Sequence, residues 1–207
     1  LCISPIHRMG TTVTKTEQLQ QDLDYIAATV RRREQPVGIP ALYLFWAAAV
    51  LVGFASADFA PRITGLYWFV VGIGGGLLSW WMGQRDARRS GVLDAELGRR
   101  HGLHWLMGGV AYFLTALPMF VHGASNDRAA SFLLTTGIIY SLAGVHLERP
   151  LLWCGLLAFA GYAALVALSL PYAWTLSGVL IAACLLLAAV FAARVRAAEQ
   201  MGQEQAQ

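Results

Sequence analysis

The sequence predicts an all-α, polytopic membrane protein: a bundle of six transmembrane helices with both termini in the cytoplasm, preceded by an amphipathic cytoplasmic helix. Three observations predict it. The 207 residues are 57% hydrophobic and 13% charged, whereas soluble domains carry about 25% charged residues. Six segments reach the roughly 20 apolar residues needed to cross a hydrocarbon core about 30 Å thick. Arginines crowd into alternate connections, as expected when positive loops are retained on the cytoplasmic side.

Residues 1–13 read as a disordered tail, and a helix is expected over 14–35. Thr14 and Glu17 have capping-box spacing, with a hydroxyl and a carboxylate placed to satisfy free backbone N–H groups. Leu19, Leu23, Ile26 and Val30 then recur at spacings of four, three and four, which puts them on one stripe. Glu17, Asp22 and Asp24 come early and Arg31, Arg32 and Arg33 late, in the order the helix dipole favours, and Pro36 and Gly38 end the run. The stripe needs a cover. An acidic polar face suits a lipid surface poorly, so the expected cover is protein, either the chain's own loop or a partner.

The membrane bundle is expected over 36–194, with spans at 39–57, 63–83, 102–122, 129–147, 150–170 and 172–193. Asp58, Pro61 and Arg62 divide the first two, Asn126, Asp127 and Arg128 precede the fourth, and Glu148, Arg149 and Pro150 precede the fifth. The fourth is the shortest and most polar, with Thr135, Thr136, Tyr140 and Ser141. Tight connections predict that successive spans lie antiparallel and side by side. The longest connection, 84–100, reads as a cytoplasmic loop made of a helical hairpin, with Glu96 and Arg100 paired across one turn, and 195–207 as a cytoplasmic tail. With the N-terminus inside, only Arg62 and Arg128 among the arginines face outward, and tryptophans such as Trp80, Trp81, Trp105 and Trp153 fall at inner span ends. Fourteen Arg against one Lys, with abundant Ala, suggest a GC-rich bacterial genome and hence the bacterial inner membrane.

Three candidate sites emerge. His101 and His104 share a helix face at the inner start of the third span, and His146 stands at the inner end of the fourth with Glu148 close behind. A histidine–carboxylate set of this kind suits a transition metal, and His104 with His146 suits a bis-histidine haem. Against both, no HExxH or ligand-spaced cysteine accompanies them, and interfacial histidines commonly bond to water or carbonyls, so no cofactor is the leading expectation. Gly72 and Gly76 have GxxxG spacing within an apolar run, which predicts a close helix contact or an oligomer face. Gly108, Gly109, Gly155 and Gly161 read likewise. The stripe Leu19, Leu23, Ile26 and Val30 is the third candidate, for partner binding.

Absences narrow the function. No Asp, Glu, Lys or Arg lies near the centre of a span, which disfavours ion-coupled transport. Cys2, Cys154 and Cys184 lack metal or disulfide spacing. No nucleophile with a partner base and no paired carboxylates are visible, so an enzyme is not expected. The arginines form no continuous stripe, and nucleic acid is not an expected partner. The leading expectation is an accessory or regulatory membrane subunit that binds a protein partner or a second copy within membrane lipid. The alternative is passage of a neutral solute or lipid along the hydroxyls of Tyr112, Thr115, Thr135, Thr136, Tyr140 and Tyr162. A metal or haem protein comes third.

Overall fold

The computed structural model describes residues 19, 20, 23, 38–90, 95–122, 125–168 and 170–204. The chain divides into two units, residues 1–36 and 37–207. In the first, Leu19 and Leu23 are helical and exposed. Ile26 and Val30, with most of the predicted 14–35 helix, lie outside the described residues.

Among the described residues of the second unit the regular structure is helical: α1 (Pro40–Phe59), α2 (Pro61–Ser90), α3 (Ala95–His122), α4 (Asn126–His146), α5 (Arg149–Leu168) and α6 (Ala173–Glu204). Prolines set several boundaries. Pro40, Pro61 and Pro150 stand in first turns, where the missing N–H has no intrahelical acceptor to lose. Between α5 and α6 the chain turns through Tyr172, which has φ of 54°. Helices α1, α2, α4, α5 and α6 each contain a segment long and apolar enough to cross a membrane. Among the described residues, the predicted third span, α3, is not one of these five, and the more polar fourth is.

Two helix pairs, α1 with α6 and α4 with α5, form the body, and α6 also packs on α4 and α5. Outside this body, α2 packs its backbone on α1 and α3 packs on α4, and Asp86 near the end of α2 also pairs with Arg196 of α6 at 2.9 Å. Among the described residues, successive helices pack side by side except α2 and α3, which share no close backbone approach. Phe54 of α1 centres the body, with ring centroids 5.8 Å from Trp68, 5.7 Å from Phe132 and 5.8 Å from Trp174.

Lipid is as apolar as the helices, so their association depends on close packing and interhelical hydrogen bonds. The α4–α5 seam shows the first. A Cβ at Gly144 would run into the backbone of Leu152, one at Gly137 into the ring of Phe159, and one at Gly155 into Ser141. The outer helices show the second. Trp46 donates to Ser79 at 3.0 Å and Tyr67 to the Ala49 carbonyl at 2.7 Å, fastening α2 to α1. Tyr112 donates to Thr136 at 2.9 Å, and Thr115 meets Thr135 at 2.9 Å, fastening α3 to α4.

Candidate functional site

Contacts of Tyr43 and His101 with Glu148 bring the N-termini of α1, α3 and α5 and the C-terminus of α4 to one end of the bundle. Glu148 stands at their meeting point, in the link Leu147–Glu148 between α4 and α5. The backbone builds this link economically. The N–H groups of Leu147 and Glu148 both donate to the Ala143 carbonyl, at 2.7 and 2.9 Å, and the Glu148 carbonyl accepts from Leu151 at 2.9 Å to open α5. The Glu148 side chain is turned inward and only 13% exposed. Its Oε2 accepts a hydrogen bond from the Tyr43 hydroxyl of α1. Its Oε1 lies 3.7 Å from Nε2 of His101 on α3, a distance for electrostatic contact with a protonated imidazole and too long for a hydrogen bond.

One carboxylate thus ties together α1, α3 and the α4–α5 link. Gly38 allows the approach, because a Cβ there would overlap the Tyr43 ring and the Glu148 carboxylate. The sequence pointed to His101 and Glu148, but Tyr43 and Gly38 escaped it. Tyr43 lies 105 residues from Glu148 and has no local pattern that marks it.

His104, one turn along from His101, reaches the backbone of Ile139 on α4 and stands within electrostatic range of His101 and His146. Its Nε2 is enclosed and has no hydrogen-bond partner among the described residues. His146 is exposed in the last turn of α4. Histidines and carboxylate therefore gather at one end, yet among the described residues no three of His, Cys, Asp and Glu stand as a metal-holding group. Deeper in the same end, Cys154 of α5 points its sulfur at the Cys184 carbonyl of α6, 3.4 Å away, and both cysteines are free and buried. The arrangement offers a held carboxylate and a set of imidazoles. Its evident chemical capacity is to fix helix ends.

The glycines of α2 lie elsewhere. A Cβ at Gly75 would press on Phe45 and Trp46 of α1, so the contact with α1 is made there. At Gly72 and Gly76 a Cβ would meet nothing within 4 Å, and the same holds for Gly65 and Gly83. Spacings of seven, four and seven place these four on one face of the helix. At the opposite end of the bundle, Asp58 of α1 accepts from the backbone N–H of Thr175 at 2.8 Å and from its hydroxyl at 2.6 Å, capping α6 from a neighbouring helix. Sequence reading had taken Asp58 only as punctuation. Compared with protein-family models, curated proteins and solved structures, the chain matches none.

Proposed function

We propose that the chain is a non-enzymatic accessory or regulatory subunit of the bacterial inner membrane. It spans the bilayer six times, with both termini in the cytoplasm, and binds a protein partner through the open face of α2. The observation that carries this reading is the poor cover of α2. Of its membrane-crossing segment 11% is buried, against 22% to 50% in the other four. On that uncovered side lie Gly65, Gly72, Gly76 and Gly83, where a second helix can bring its backbone close and gain dispersion contacts that lipid chains make less well. The exposed Leu19 and Leu23 add a second apolar surface before the bundle. The hydroxyls of Tyr112, Thr115, Thr135 and Thr136, which a solute path would use, are engaged with each other, and this favours binding over passage.

The test is gentle solubilisation from the native membrane, with mass spectrometry of everything that accompanies the protein. A stoichiometric partner is expected, lost from the double variant Gly72→Leu, Gly76→Leu and retained by Gly109→Leu, which also meets open space. A protein that emerges alone refutes the reading. A partner retained by the double variant moves the contact off α2, and deletion of residues 1–34 then asks whether the Leu19–Leu23 surface holds it.

A further inference from the structure

We propose that the last turns of α2 form a seat for an anionic phospholipid headgroup, built from Arg85, Arg88 and Arg89 above Trp81. Depth argues first. Trp81 stands twenty residues beyond Pro61, about 30 Å along the axis, so a helix that enters the hydrocarbon at Pro61 leaves it at Trp81. Arg85 follows roughly 6 Å further on, at the level of the headgroups, and Arg88 and Arg89 one turn beyond, within reach of the same layer through their flexible stems. Trp80 and Trp81 are 68% and 52% exposed, as suits rings at a membrane interface.

Charge argues second. Asp86 is the sole acidic residue between Pro61 and Leu93, and both its oxygens are taken by Arg196 of α6, at 2.9 Å each. Arg85, Arg88 and Arg89 are all exposed, and none has a carboxylate partner among the described residues. At spacings of three and four they share a face of the helix with Trp81. The Arg85 guanidinium is poised 5.3 Å over the Trp81 ring, which fixes its plane while leaving its N–H groups free to bind two phosphate oxygens together. The C-terminus of α2 carries the negative end of the helix dipole, so an anion is drawn here by the side chains and not by the helix. The opposite end of the bundle has no such excess, since Arg62 and Arg128 are matched there by Asp58 and Asp127. Charge complementarity thus selects a phospholipid with net negative charge over a zwitterionic one.

The experiment reconstitutes the full chain into vesicles of phosphatidylcholine and phosphatidylglycerol in equal amounts. Gentle detergent extraction follows, and the lipids retained are counted by native mass spectrometry. Phosphatidylglycerol should be retained in preference. The preference should fall by roughly fivefold for each arginine removed, as expected for basic residues near an anionic surface, and vanish in Arg85→Gln, Arg88→Gln, Arg89→Gln. The variant Arg99→Gln, Arg100→Gln, whose arginines both bind Glu96, should retain it. Equal retention of the two lipids by the wild type, or an undiminished preference in the triple variant, overturns the proposal. If the triple variant fails to insert, the wild type decides the matter through quenching by brominated lipids: tryptophan loss greater with brominated phosphatidylglycerol than with brominated phosphatidylcholine, and absent from Trp81→Phe, sustains the seat, and equal quenching overturns it.

Discussion

Single atoms decide which glycines matter in this protein. At Gly144 a methyl group has no space, because the backbone of Leu152 occupies it. Gly144→Ala should therefore force α4 and α5 apart and cost about 1–3 kcal/mol, the usual range for overpacking. Gly72→Ala should leave folding stability nearly unchanged, since nothing lies within 4 Å. Denaturation in mixed micelles followed by circular dichroism reads both, and equal losses would contradict the assigned contacts. Tyr43→Phe removes the donor to a carboxylate that is 13% exposed. Hydrogen bonds to charged groups contribute about 1.5–3 kcal/mol, so a loss of that order is expected in the same assay, with Glu148→Gln milder than Glu148→Ala because the amide still accepts. The sequence disclosed His101, His104, His146 and Glu148 because these polar residues interrupt apolar runs. It could not disclose Tyr43, whose importance arises only when the Glu148 link, 105 residues away, arrives beside it. The spacing of Gly137, Ser141 and Gly144 at four and three was a readable sign of a close seam.

Helices were more legible than their neighbours. Hydropathy accumulates along a contiguous stretch, so six segments stood out, and α1, α4 and α5 begin and end within a few residues of theirs. The largest departures are α2, α3 and α6, which run past the apolar limits by continuing through Arg88, Glu96 and Arg196, residues with ample helix propensity and water to solvate them. Partner choice left no such trace. The expectation that successive spans pack together fits α1 with α2 and α4 with α5, but α1 packs far more extensively on α6. Because the close packing of α2 is against α1, Gly75→Leu, set against Phe45 and Trp46, should part these two helices at their middle while the body stays folded and the Asp86–Arg196 pair holds the end of α2. Cysteines placed at Ser79 and Trp46 would then lose the ability to cross-link. Retained cross-linking alongside wild-type stability would mean that α2 is fastened elsewhere.

Across the whole molecule, the proposed six-span topology would put Arg88, Arg99 and Gln200 on one side of the membrane and Ser125 on the other. With Cys2 replaced by Ser, single cysteines at these four positions should divide three to one when labelled from one side of sealed vesicles. Labelling of Arg99→Cys and Ser125→Cys from the same side would show that α3 does not cross. The pairing of α1 with α6 also has a consequence in time. Asp58 finds its hydrogen-bond donor in Thr175, 117 residues downstream, and at synthesis rates of about 5–20 residues per second that interval lasts on the order of ten seconds. Throughout it, α1 waits without its principal neighbour. A ribosome that stalls before residue 173 leaves the α6-facing side of α1 uncovered, so such a fragment should be short-lived in cells. Supplying residues 123–207 as a separate chain should restore it, with α6 as the helix that closes this side of the bundle.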